Sequence, residues 1–140
     1  MNRDKIHHYR ETQIKTASKG KLIVMLYDGI IGALDTAIEA IPLKRYDEAN
    51  KAIQKAQDII AELSVSLNME AGEFSSKLFN IYSFLNMKLV DGNIKKDTEP
   101  VIFVRKMAAS LRDAWNQIVK NSPHPDLDEM KKGGGIDVAG

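Results

Sequence analysis

Residues 46–68, Tyr46-Asp47-Glu48-Ala49-Asn50-Lys51-Ala52-Ile53-Gln54-Lys55-Ala56-Gln57-Asp58-Ile59-Ile60-Ala61-Glu62-Leu63-Ser64-Val65-Ser66-Leu67-Asn68, carry the pattern that decides the fold. Ala49, Ala52, Ile53, Ala56, Ile59, Ile60, Leu63 and Leu67 recur at steps of three and four, with two adjacent pairs. That is the period of a helix buried along one stripe. Lys51, Lys55, Asp58 and Glu62 fall on the wet side. Asp47 is expected to cap the start, and the helix to end at Leu67-Asn68.

Working outward, three more segments share the helical period. In 98–120, Val101, Val104, Ala108, Leu111, Trp115 and Ile118 alternate steps of three and four, a bundle seam. Asp97 or Thr98 caps it, with Glu99 and Pro100 in the first turn. In 72–91, Phe74, Leu78, Ile81, Tyr82, Leu85 and Leu89 share a face, while Phe79, Phe84, Met87 and Val90 lie off it. In 18–41, Ser18 is the expected cap, and Ile23, Leu26, Ile30, Leu34, Ala37, Ile38 and Ile41 form the main stripe. Leu22, Met25, Gly29 and Gly32 make a second face of smaller bulk, and Pro42 ends the helix because it disfavours helical backbone before it. Four helices of about 20–24 residues, near 30–36 Å each, match in length. Short connections make neighbours antiparallel. The expected fold is all-α: an antiparallel up-down four-helix bundle over 18–121.

Two flanking segments differ. Residues 1–17 are expected to be a leader, with a short helix at 3–14 bearing Ile6, Tyr9, Gln13 and Ile14. Such a short helix is marginal alone and needs a surface to cap. Residues 122–140 carry Pro123, Pro125 and Gly133-Gly134-Gly135 with few apolar residues, and are expected to form a disordered tail.

The 140 residues suit one domain with one core. Twenty Lys and Arg against nineteen Asp and Glu leave +1, so no global field favours nucleic acid. The balance is uneven: +4 over 1–21, −4 over 22–70, +3 over 71–121 and −2 over 122–140. The absence of cysteine excludes disulfides and thiolate chemistry. No apolar run approaches the roughly 20 residues of a membrane helix, so membrane insertion is not expected. The N-terminus lacks a secretory apolar stretch, which points to a cytoplasmic chain.

The search for chemistry returns little. His7 and His8 are adjacent and diverge on a helix, and His124 lies in the expected tail. No Glu-x-x-His pair of the di-iron bundles occurs, and no glycine loop precedes a helix. No metal, cofactor or catalytic residue is expected, and an enzyme is not the leading reading. Asp28 either faces water or accepts a bond from a neighbouring basic or hydroxyl group, or else it contacts the backbone of a bound partner. Gly29 and Gly32, each costing about 1 kcal/mol in a helix interior, mark the approach of another backbone. That backbone belongs either to the bundle or to a partner. Met25, Phe79, Phe84, Met87 and Phe103 exceed what one four-helix core requires: singly each fits a thick core filled on several sides, and together they suit an adaptable groove for a partner helix. Two other classes remain open: an enzyme or small-ligand binder with a site inside the bundle, and a homodimer paired through the surplus apolar face.

Thr16-Ala17-Ser18 followed by Leu22-Ile23-Val24-Met25-Leu26-Tyr27-Asp28-Gly29-Ile30-Ile31 resembles the opening of the FliS flagellin export chaperones. Tyr9 stands before it at that family's spacing, and Ala56–Leu63 and Leu111–Trp115 resemble later family helices. Lys19 departs from the usual proline, and Gly32-Ala33 from an Arg and a large apolar residue. The resemblance implies a cytosolic, non-enzymatic chaperone, monomer or weak dimer. It would bind the disordered C-terminal segment of flagellin, prevent early polymerisation and deliver it to the flagellar type III export gate. It also implies that the leader covers part of the groove until flagellin arrives. The partner-binding residues expected on this basis are Ile6, Tyr9, Ile14, Leu22, Met25, Asp28 (a polar anchor) and Gly29.

Overall fold

The computed structural model describes residues 19–67 and 72–121. They form α1 (Lys19–Ala40), α2 (Tyr46–Val65), α3 (Glu73–Lys95) and α4 (Thr98–Asn121), and no strand occurs among the described residues. The expected four-helix bundle is what these residues build. The expected leader, Ser18 and the tail lie outside the described residues.

The helices form a closed square in which α1 packs on α2 and α4, and α3 packs on the same two. Side-chain pairs give the directions. Asp28 and Asp35 of α1 pair with Arg112 and Arg105 of α4, so seven residues forward on one helix are seven back on the other. Asn50 and Gln57 of α2 bond to Asn93 and Asn86 of α3 with the same opposed step. Both seams are antiparallel. Across the diagonal, the Tyr27 and Tyr82 hydroxyls meet at 2.6 Å and set α1 and α3 level.

Side-chain size sets helix spacing. Ala33, Ala37 and Ala40 of α1 and Ala49, Ala52 and Ala56 of α2 are buried, and small residues let backbones approach. On α3 the buried residues are mostly large, Leu78, Tyr82, Leu85 and Leu89 beside Ser75 and Gly92, and bulk of this kind keeps helix backbones apart. The core between them includes Ile30, Leu34, Ile53, Leu63, Val101 and Val104.

Two expected boundaries are corrected. Asp47 is not the N-cap: α2 begins at Tyr46, and no side chain caps it. Lys44 adopts a left-handed backbone, and the Arg45 carbonyl accepts from the Ala49 N–H at 3.0 Å. Asp47 therefore sits inside the first turn, where its charge meets the positive helix end. The same helix stops at Val65 rather than Leu67-Asn68, where the Ser66 hydroxyl donates back to the Leu63 carbonyl at 2.7 Å. Asp97 does cap α4, accepting from the Glu99 N–H at 3.0 Å. The α3–α4 turn closes through left-handed Lys96, with the Asp97 N–H donating to the Gly92 carbonyl at 3.0 Å. A β-carbon on Gly92 would lie 3.2 Å from the Asp97 carbonyl oxygen, so glycine lets this turn fold back.

Candidate partner-binding surface

The turn Leu26-Tyr27-Asp28-Gly29 sends its four residues to four neighbours. Leu26 is half-buried against the core, and Tyr27 is buried against Tyr82. Asp28 reaches α4, where its carboxylate accepts from Arg112 at 3.2 Å. Gly29 faces α2, since a β-carbon there would stand 3.0 Å from Ile59 Cδ1. The neighbour that Gly29 marks belongs to the bundle, and it is the Ile59 side chain rather than a backbone. Asp28 is exposed, yet engaged: Arg112 holds it together with Asp113 at 3.1 Å. Hydrogen bonding to Asp28, then to Asp113, pushes the Arg112 guanidinium pKa further up, as Asp35 does for Arg105.

The outward face of α1 thus has one large apolar residue in the open, Met25, with Leu22 half-buried beside it. Gly32 is also exposed, with nothing within 4 Å of where a β-carbon would stand. It floors a shallow depression of about 340 Å³ between α1 and α2, with Ala33 and Ala52, rimmed by Glu48, Lys51 and Lys55. Of the expected partner residues, Leu22, Met25, Asp28 and Gly29 share one stretch of α1, but their contacts diverge. Ile6, Tyr9 and Ile14 lie outside the described residues.

Most exposed apolar surface lies elsewhere. Phe79, Met87, Val90 and Ile94 of α3 are all open, Ile94 at 78%. Phe84 of α3 and Phe103 of α4 are half-exposed and meet edge to face, 5.9 Å between centroids. The Lys88 ammonium lies 5.6 Å and 5.7 Å from those two rings, within cation–π range. The surplus expected from Phe79, Phe84, Met87 and Phe103 is therefore at the surface. Ile94 and Lys88 were not singled out in the sequence. Ile94 could have been, because it continues the Phe79–Met87–Val90 row at steps of three and four.

Among the described residues, the interior pairs two phenols, Tyr27 and Tyr82. The Tyr27 phenol pKa is pushed far up by burial and then by Tyr82, with a Trp115 hydrogen bond acting in the opposite sense. Burial also raises that of Tyr82. Both hydroxyls stay protonated and bond to each other. Among the described residues no group of three or more metal-type side chains converges, and no helix is long and apolar enough to cross a membrane.

Residues 1–122 match the family described as Flagellar protein FliS. The chain belongs to the FliS family. The flagellar secretion chaperone FliS of Bacillus subtilis is 34% identical over 113 residues, covering 81% of this chain and 84% of the relative. Its counterpart in Escherichia coli is 29% identical over 109 residues, covering 76% and 80%. The flagellar secretion chaperone FliSB of Pseudomonas aeruginosa is 28% identical over 109 residues, covering 77% and 86%. The FliS match spans all four helices and stops where α4 ends. In this FliS-family chain, the Leu-Tyr-Asp-Gly turn that carries the resemblance does structural work, tying α1 to each of the other three helices.

Proposed function

We propose that the chain is a cytosolic export chaperone. It holds the C-terminal segment of flagellin, keeps it from polymerising early, and presents it to the flagellar type III export gate. The observation that carries this reading is the open apolar surface of a bundle whose core is already full. Phe79, Phe84, Met87, Val90 and Phe103 are all exposed by 40% or more, although Leu34, Ile53 and Leu85 close the interior. Membership of the FliS family supports the identity of the guest. A guest that folds on binding loses part of its contact energy to ordering, so it needs a long apolar contact of this kind.

On α1, the guest touches Leu22 and Met25. Gly29 keeps that strip narrow by letting α2 close up, and Asp28 with Arg112 offers a polar edge for the guest backbone. The leader, through Ile6, Tyr9 and Ile14, covers apolar surface until the guest displaces it. Calorimetry with a cognate flagellin C-terminal peptide tests the reading. Heat release with a negative heat-capacity change is expected. No heat and no perturbed chaperone resonances would falsify it. Met25→Glu is expected to weaken peptide binding with no change in melting temperature. Deleting residues 1–14 is expected to raise dye binding and alter peptide affinity, and unchanged values for both would remove the leader as a cover.

A further inference from the structure

Lys88 presents an unusual electrostatic situation. Its ammonium sits over two half-exposed rings, Phe84 and Phe103, and no carboxylate among the described residues pairs with it. Neighbouring lysines on α3 do have such partners: Lys77 lies 3.8 Å from Glu73 and Lys95 lies 3.0 Å from Asp91. The complement of this surface is an aliphatic side chain to cover the rings beside a carboxylate for the ammonium.

That complement occurs in the chain itself, beyond Asn121. Residues 126–130 read Asp126-Leu127-Asp128-Glu129-Met130, three carboxylates around two apolar side chains. The segment follows a stretch of α3 and α4 that carries net +3, and is itself net −3. Reach is sufficient. From Asn121 back to Phe103, α4 rises about 27 Å at 1.5 Å per residue. From Asn121 an extended chain spans about 26 Å to Glu129 and about 30 Å to Met130, so these two residues come level with Phe103, while Asp126 and Leu127 reach only the preceding turns of α4. Pro123 and Pro125 favour extended backbone in the intervening residues. The row leading back is uncharged, with Gln117, Ala114, Ser110 and Met107 at steps of three and four on the Phe103 side of α4, three of them exposed, and Lys106, Asp113 and Lys120 exposed beside it. Lys131 and Lys132 would then approach Asp97 and Glu99 at the start of α4. The FliS match stops at residue 122, so this segment lies outside the family pattern.

We propose that residues 126–130 dock on the Phe84–Lys88–Phe103 surface of the same chain, which competes there with any acidic, apolar partner segment.

Because the chain has no cysteine, a single nitroxide can be placed cleanly by Gly133→Cys in the full-length protein. The expected result is loss of amide signal at Phe84, Lys88 and Phe103, with Met25 and Gly32 on α1 retained. Lys88→Glu is expected to restore the lost signals, and Glu129→Lys added to it to remove them again. Signal loss spread over all four helices, or confined to the last turn of α4, overturns the proposal. So does Lys88→Glu leaving the pattern unchanged. Isotope-labelled chain without nitroxide, mixed with unlabelled nitroxide chain, is expected to show no loss. Loss there would make a second copy the occupant and overturn the intramolecular contact.

Discussion

Helices α1 and α3 sit on opposite corners of the square and meet their surroundings in opposite ways. On α1 the inward and lateral faces are spent on the bundle: alanines draw α2 close, and Asp28 and Asp35 clasp Arg112 and Arg105 of α4. Its outward face is mostly polar or small, with Met25 as the apolar exception. On α3 the inward face is bulky, the seam to α2 is a pair of neutral amides, and the outward face carries Phe79, Phe84, Met87, Val90 and Ile94. One helix organises the bundle, and the other keeps a row of large apolar side chains open to solvent. Stability and partner binding are therefore separable by position.

The largest expected effect tests that separation directly. Leu34→Ala, in the sealed interior of α1, is expected to cost about 2–5 kcal/mol, from lost transfer energy and the cavity left behind. Met87→Ala, 69% exposed on α3, is expected to stay within about 0.5 kcal/mol. Urea unfolding of the two variants reads both numbers. A comparable loss at Met87 would show that the α3 face supports the bundle, and the contrast between the helices would break.

The next effect concerns the bond that joins the two helices. The Tyr27 and Tyr82 hydroxyls share one hydrogen bond in the core. Tyr27→Phe alone leaves the Tyr82 hydroxyl buried without that partner, for an expected cost of about 1–3 kcal/mol. Removing both hydroxyls is expected to cost less than the sum of the single changes. The pH dependence follows from burial, which raises both phenol pKa values. Above about pH 10 the unfolded chain sheds phenolic protons that the folded chain keeps, so stability falls as pH rises. Below that pH the phenols are protonated in both states and contribute no slope. Denaturation from pH 8 to 11 checks this, and the double phenylalanine variant is expected to lose the part of the alkaline decline that these phenols cause.

How much of this was legible in the sequence differs along the same lines. The stripes of α2 and α4 gave the bundle directly: Ala49, Ile53, Ala56, Ile60 and Leu63 are buried as their spacing requires, and so are Val101, Val104, Ala108 and Trp115. The exposed surplus at Phe84, Met87 and Phe103 was legible because each lies off the stripe of a helix whose inner face is already full. Tyr27 was not, because a phenol in an apolar helix finds its partner 55 residues away, and no local period records that. Gly29 marked a close neighbour without naming it, and Asp28 was open between water, a neighbouring basic or hydroxyl group and a partner. Their partners, Arg112 and Ile59, depend on how α4 and α2 are set around α1. Capping at α2 was misread for a smaller reason. Asp47 is a good cap by type, but the left-handed Lys44 starts the helix one residue ahead of it.

The smallest effect separates the two seams by their chemistry. The α1–α4 seam is ionic and exposed: the Arg105–Asp35 side chains are 38% and 53% accessible, and Arg112–Asp28 33% and 54%. Pairs this wet contribute about 0.2–1 kcal/mol each at most and are screened by salt. The α2–α3 seam uses Gln57–Asn86 at 3.0 Å and Asn50–Asn93 at 2.8 Å, half-buried and uncharged. A Debye length of about 8 Å at physiological ionic strength shrinks to about 3 Å at 1 M, which weakens the first seam and leaves the second untouched. Replacing Asp28 and Asp35 with Asn is expected to cost a few tenths of a kcal/mol at low salt. In 1 M sodium chloride that cost should nearly vanish. Replacing Asn50 and Gln57 with Ala, which leaves the Lys96 ammonium on the Asn93 side chain at 2.7 Å, is expected to cost the same at both salt concentrations, because a neutral hydrogen bond has no ionic atmosphere to screen. Equal salt sensitivity of the two double variants would mean that the acidic side chains act on α1 through hydrogen bonding rather than charge, and the electrostatic half of the contrast between α1 and α3 would fall.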